Sequence, residues 1–134
     1  MNKTLMIRAT ILVSLLGATV VLSPAYSRDY SPAYNAGLMA SEAGDYDTAV
    51  SKWQPLADQG NAAAQFNLAL MYHRGLGVAH DEARAVSWYQ KSAANGYFRA
   101  QEFLAVAYRE GWFGLPRDPA KADYWDQQLE NSSF

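Results

Sequence analysis

The chain has 134 residues, half of them hydrophobic and 18% charged, so one packed domain is expected rather than a disordered segment. It contains no cysteine, which excludes disulfides, thiol chemistry and cysteine-based zinc sites. Its formal net charge of −2 supplies no basic face for nucleic acid, so we expect no nucleic-acid partner.

The first 25 residues have the three-part pattern of a secretory signal peptide. Two basic residues precede an uncharged apolar run over residues 9–22, and small side chains at Ser23 and Ala25 suit cleavage after Ala25. Cleavage after Ser27 is an alternative. A retained membrane anchor is the competing interpretation, but at about 1.5 Å per residue the run spans roughly 21 Å, short of the ~30 Å hydrocarbon core. We expect a cleaved, periplasmic or secreted protein that is not inserted in the membrane.

An internal repeat covers most of the remaining chain. A shift of 36 residues places residues 49–75 on residues 85–111, with 12 of the 27 aligned pairs identical. Ala64, Leu68 and Tyr72 recur every four residues, as one face of a helix requires. Because such helices cannot bury their apolar stripes alone, stacked helix pairs are expected.

Start and stop signals separate the helices of each repeat. Asp45, Asp81 and Asp118 each precede an apolar stripe and are placed to cap the amino end of a second helix. Gly75 and Gly111 suit the left-handed position that follows a first helix.

The Gly-Leu-Gly turn at residues 75–77 is therefore interpreted as a link between helices. A phosphate loop would need a preceding strand and a Lys-Ser/Thr pair after the last glycine, whereas Val78 and Ala79 follow here. His73 and His80 flank the turn without a carboxylate cluster or a third ligand at metal spacing. We expect no metal and no cofactor.

The stretch AQFNLALMYHRGLGVAHDEARAVSWYQKSAANG, residues 64–96, resembles a Sel1-like repeat, a relative of the tetratricopeptide repeat. A looser copy covers residues 100–128, and residues 32–60 look more like a plain tetratricopeptide unit. The resemblance implies an all-α fold, a short right-handed solenoid of three antiparallel helix pairs. The expected units are 32–61, 62–97 and 98–134, the last with a C-terminal capping helix, after a short segment at 26–31.

The predicted first helices cover 32–43, 62–74 and 98–110, and the predicted second helices cover 46–59, 82–95 and 119–130. Large aromatic side chains on these helices are expected to fill the core: Tyr72, Trp88, Tyr89, Tyr108, Tyr124 and Trp125.

The resemblance also implies a function, which is scaffolding and the non-enzymatic binding of a protein or peptide through a concave face lined by the first helices. The predicted contact residues combine apolar and charged side chains: Tyr34, Leu38, Phe66, Leu70, His73, Arg74, Arg99, Glu102 and Arg109. A solvated face with Glu102 paired to Arg99 is the alternative. Trp112 and Phe113, in the last loop, either pack under the final helix or anchor the partner.

Two other functions remain open at this point. Some exported Sel1-like proteins are β-lactamase-like or penicillin-binding, but those are rich in cysteine, and this chain contains neither Ser-x-x-Lys nor His-Glu-x-x-His. A self-associating structural solenoid is the third possibility. We expect a monomer or weak oligomer.

Overall fold

The structure, a computed structural model, describes residues 30–132 and is entirely helical over that range. Its helices in chain order are α1 (Pro32–Glu42), α2 (Tyr46–Asp58), α3 (Ala62–Arg74), α4 (Glu82–Ala94), α5 (Phe98–Glu110) and α6 (Pro119–Ser132). No helix in this part of the chain is long and apolar enough to cross a membrane. The predicted signal peptide at 1–25 lies outside the described residues.

The helices form three antiparallel pairs, and every predicted helix end lies within two residues of the observed one. Asp45, Asp81 and Asp118 each accept a hydrogen bond from the backbone N–H three residues later, at 2.9–3.1 Å. Gly75 and Gly111 take the left-handed conformation at the ends of α3 and α5, with φ of 66° and 74°. The predicted capping residues are confirmed.

The core consists of two apolar clusters that share side chains. The first surrounds Trp53, between α1, α2 and α3, and the second surrounds Tyr89 and Leu104, between α3, α4, α5 and α6. Leu70 and Trp88 pack against both clusters, so the core is continuous along the stack. Buried alanines on the facing helices let their backbones approach closely.

The predicted aromatic core is correct in part. Tyr89 and Tyr108 are buried, whereas Tyr124, predicted to be core, is 52% exposed. Tyr124 lies on α6, which packs mainly on α5, so no later helix pair among the described residues covers its outer side.

Buried glutamines fix each helix pair on the one before it. Gln65 Nε2 donates to the carbonyl oxygen of Ala57 at 3.0 Å, and the equivalent Gln101 Nε2 donates to the carbonyl oxygen of Ala93 at 3.1 Å. Each bond joins a first helix to the last turn of the preceding second helix and adds a second donor to a carbonyl that already accepts a backbone N–H. These bonds therefore fix the position of each first helix relative to the preceding pair.

Candidate functional site

The first-helix face, formed by α1, α3 and α5, is the surface for which the sequence predicts binding. Across it, Asn67 Nδ2 donates to the Tyr34 hydroxyl at 3.1 Å, which joins α3 to α1. The Phe66 ring centroid lies 5.2 Å from that of Tyr97, the residue that precedes α5. These contacts make the face continuous across three helices.

Tyr34 supports this face from below and is not available for direct contact with a partner, contrary to the prediction. Its side chain is 4% exposed, and burial raises the pKa of its hydroxyl to about 12. Tyr34 is buried because Gly37, one turn later in α1, has no side chain and lets the Trp53 indole approach the helix. Trp53 Nε1 then donates to the Tyr34 carbonyl oxygen at 3.2 Å. Asn67, which the prediction missed, is the polar group that the Tyr34 hydroxyl holds in place.

The other predicted apolar residues are half-buried. Leu38 packs against the first cluster, Phe66 against the second and Leu70 against both. The Phe66 ring is wedged between Tyr89, at 5.5 Å between centroids, and Tyr97. These side chains form a packed layer that presents only part of its area to solvent.

The loop between α5 and α6 folds back onto the first helices. The Phe113 ring lies 4.5 Å from His73 of α3 and 4.8 Å from Phe103 of α5, measured between centroids. Its packing partners are thus first helices, not the underside of α6 as one prediction had it. Trp112, which meets Phe113 edge-on, is 51% exposed and remains a candidate anchor.

The predicted charged residues of this face are exposed but differ in their pairing. Arg109 forms an ion pair with Asp126 of α6, which commits its charge to the neighbouring helix. The Arg99 guanidinium lies 5.9 Å from the Phe98 ring centroid, and residues 30–132 show no ion pair between Arg99 and Glu102. Burial raises the pKa of the Tyr89 hydroxyl to about 12, and the positive charge of Arg74 acts on it in the opposite direction. Arg74 and Arg99 are therefore the cations best placed to meet an acidic partner.

A second surface, which the sequence reasoning missed, lies on the side of the second helices. We call it the outer cleft; its volume is about 310 Å³ and its lining residues are Gln54, Tyr72, Arg84, Ser87, Trp88 and Lys91. The repeat alignment differs beside this cleft, because Asp58 at the end of α2 has Ala94 as its counterpart in α4.

The described part of the chain brings no three metal-ligating side chains together. His73 packs on Phe113, and its Nδ1 atom is buried without a hydrogen-bond partner. His80 lies at the edge of a separate cleft that adjoins the outer cleft.

Comparison with known proteins identifies relatives of the helix pairs. The Sel1 repeat family matches residues 62–97 and 98–125. An F-box protein of Arabidopsis thaliana is 37% identical over 78 residues, which is 58% of this chain and 21% of that protein. The similarity therefore concerns a short part of a much longer relative.

Two solved structures are similar in three dimensions. A Sel1 repeat protein from Oxalobacter formigenes superposes with a TM-score of 0.69 at 30% identity, over 72% of this chain and 40% of that one. A protective antigen of uropathogenic Escherichia coli strains, described as displaying an SLR fold, gives a TM-score of 0.66 at 32% identity, over 76% of this chain and 22% of that one. The chain spans less than half the length of each.

Proposed function

This chain is a Sel1-like repeat protein, and we propose that it is an exported, non-enzymatic adaptor that binds a protein or peptide across its first-helix face. Sel1 repeat proteins generally mediate protein–protein interactions and are typically non-catalytic scaffolds. Export rests on the signal-peptide pattern of the first 25 residues. The proposed site of action is the bacterial periplasm or the cell exterior.

The observation that carries the binding proposal is that exposed apolar side chains and unpaired cations occur together on the first-helix side. Val106 on α5 and Trp112 after it are exposed although both are apolar. Arg74 at the end of α3 and Arg99 at the start of α5 have no acidic partner among residues 30–132. Large exposed apolar side chains on a folded surface mark interaction sites, and aromatic and arginine side chains contribute most to binding energy.

The layer beneath these side chains is preorganised. The Phe103 ring stacks on buried Tyr89 at 3.9 Å between centroids, and Phe113 lies against Phe103. Because folding already holds the rings in one arrangement, binding a partner does not require a further loss of side-chain conformational entropy there. The partner that suits this surface has an apolar anchor next to an acidic residue.

The experiment is affinity capture from an envelope extract of the native host. The full 134-residue chain is expressed, and the form that accumulates in the cells is immobilised. The test variant removes two cations and one apolar contact from the first-helix face: Arg74→Gln, Arg99→Gln and Val106→Asp. The matched control likewise removes two cations and one exposed apolar side chain elsewhere: Lys52→Gln, Arg117→Gln and Tyr124→Asp. A protein retained by the wild type and the control, and reduced about tenfold or more by the test variant, supports the proposal. Equal retention by both variants contradicts it.

Export has its own test. The protein is recovered from the host and its mass and amino-terminal sequence are determined after fractionation. A mature chain that starts at Tyr26 or Arg28 in the periplasm or medium is expected. An intact amino terminus in the cytoplasmic fraction contradicts export without affecting the binding proposal.

Self-association is the second candidate function, and exposed apolar side chains near the two ends of the stack favour it. Met39 on α1 and Tyr124 on α6 are both largely exposed. Light scattering that shows a concentration-dependent dimer lost on Tyr124→Asp supports this candidate, and a monomer throughout contradicts it. Nothing among residues 30–132 adds support to the β-lactamase-like alternative.

A further inference from the structure

The outer cleft places two cations over aromatic rings on one side of α4. Arg84 Nη1 donates to the Tyr72 hydroxyl at 3.4 Å, and the guanidinium lies 5.6 Å from the centroid of that ring. Lys91 Nζ lies 4.2 Å from the centroid of Trp88. A neighbouring cleft of about 380 Å³ shares Tyr72 and Arg84, so the two clefts form one furrow along the second-helix side.

At the outer cleft the amide of Gln54 is held by a hydrogen bond within α2. Gln54 Nε2 donates to Asp58 Oδ1 at 3.0 Å, which holds the amide against its own helix. At the next junction the equivalent Gln90 Nε2 donates instead to the Tyr108 hydroxyl at 3.1 Å and bridges α4 to α5. Four residues after Gln90 stands Ala94, which has no side-chain acceptor to turn the amide away. The amide therefore bridges two helices at the second junction, whereas at the outer cleft Asp58 binds it within α2.

The groups that line this cleft are mostly donors. Arg84 and Lys91 are cationic, and Ser87 and Tyr72 carry hydroxyls, while no acidic residue is among the six that line it. Asp81 contacts Arg84 at Nε, 3.4 Å away, which leaves part of the guanidinium fork turned to solvent. Because the whole chain has a net charge of −2, this positive cleft stands out against an acidic background and suits carboxylates.

The spacing of the cations specifies the shape of the ligand. Arg84 and Lys91 are two helical turns apart, which corresponds to about 10.5 Å along the helix axis. In a polyproline II segment, residues three apart point to the same side and are separated by about 9.3 Å. The Tyr72 and Trp88 rings, over which Arg84 and Lys91 lie, add aromatic surface beside the cations, of the kind against which proline packs. We propose that the outer cleft binds an extended acidic peptide segment in which two acidic side chains, three residues apart, reach Arg84 and Lys91.

The test uses fluorescein-labelled peptides and the anisotropy of their fluorescence, with the full chain as it accumulates on expression. One peptide carries the core Glu-Pro-Pro-Glu and the other the neutral core Gln-Pro-Pro-Gln. We expect saturable binding of the acidic peptide below about 1 mM and at least about tenfold weaker binding of the neutral one. Arg84→Gln and Lys91→Gln each weaken binding about three- to tenfold. Lys121→Gln, at the position equivalent to Arg84 in the next junction, leaves it unchanged.

Asp58→Ala separates this inference from general electrostatic attraction. The substitution removes a negative charge near the cleft, so simple attraction of an anionic peptide would become stronger. It also frees Gln54 to bond Tyr72 as Gln90 bonds Tyr108, so closure of the cleft predicts binding about fivefold weaker. Circular dichroism confirms that each variant is folded.

Four outcomes overturn the inference: no saturable binding up to about 1 mM, equal binding of both peptides, tighter binding by Asp58→Ala, or retention on immobilised heparin without binding of the acidic peptide. The first-helix-face variant with Arg74, Arg99 and Val106 replaced is expected to bind the peptide as the wild type does. Failure here therefore leaves the proposed adaptor function unaffected.

Discussion

Gly37→Ala tests the close contact that fixes α1 on α2, and two opposing effects decide its outcome. Alanine favours a helix over glycine by about 1 kcal/mol. The new Cβ, however, would lie 2.4 Å from Trp53 Nε1 and 2.7 Å from its Cε2. Trp53 is 2% exposed and bonds the Tyr34 carbonyl oxygen through Nε1, so its ring has no free space to move into. Overpacking costs about 1–3 kcal/mol and a lost buried hydrogen bond about 1–3 kcal/mol. We expect a free energy of unfolding lower by about 2 kcal/mol.

Urea denaturation followed by far-ultraviolet circular dichroism measures this difference. With a slope of about 1.5 kcal/mol per molar urea, the midpoint falls by roughly 1.3 M. The control is the same substitution in a Trp53→Phe background, where the smaller ring and the missing N–H should reduce its cost by more than half. A Gly37→Ala protein as stable as the wild type, or an equal cost in both backgrounds, would refute this account of the contact.

Three further predictions concern the loops and the ionisable groups. Gly77 and Gly75 have nearly equal φ, 68° and 66°, but a Cβ on Gly77 would lie 2.5 Å from a carbonyl oxygen at the start of α2, whereas a Cβ on Gly75 would lie 3.4 Å from its nearest atom. In urea titrations, Gly77→Ala should therefore lower the free energy of unfolding by about 2 kcal/mol more than Gly75→Ala. Equal costs would contradict the contact. Burial raises the pKa of Tyr34 and Tyr89 to about 12 from 10.0, so the stability they contribute is present below pH 10 and is lost as the pH rises towards 12. In alkaline titrations followed by circular dichroism, Tyr89→Phe should make this loss of stability less steep. An unchanged profile would count against the prediction. Hydrogen bonds from the residue three positions later hold the pKa of Asp45 below its ordinary 3.8, so the stability it contributes is present above that pH and is lost as the pH falls through the lowered value. Asp45→Asn keeps the cap, so the free energy of unfolding should fall less steeply as the pH is lowered.

The helices were predictable because the signals that start and stop them are local. Asp81 caps α4 through a bond to a residue three positions later, and Gly75 ends α3 through its own backbone conformation. The 36-residue repeat then supplied the pairing, since equivalent positions in successive units must bury equivalent faces.

The first-helix face was predicted less well because exposure depends on the neighbour across the interface. Leu38 and Phe66 occupy outward repeat positions, yet both are half-buried because aromatic side chains from other helices pack beside them. Arg109 was assigned to the face, but its charge is taken by Asp126 on α6. Helical periodicity indicates which residues three or four positions apart share a face, whereas these contacts join residues much further apart in the chain.

What the sequence by itself determined is the helical repeat, its caps and the family, because these depend on residues within a few turns of one another. What only the tertiary structure decided is which side chains remain on the surface and which cleft stays open. Tyr34 is buried because Trp53 approaches through Gly37, and beside the outer cleft Asp58 binds Gln54 within α2 where the equivalent Gln90 binds Tyr108 on the next helix pair. Both depend on a single contact whose effect appears only when the stacked helices meet, since the same residues in an isolated helix would face water.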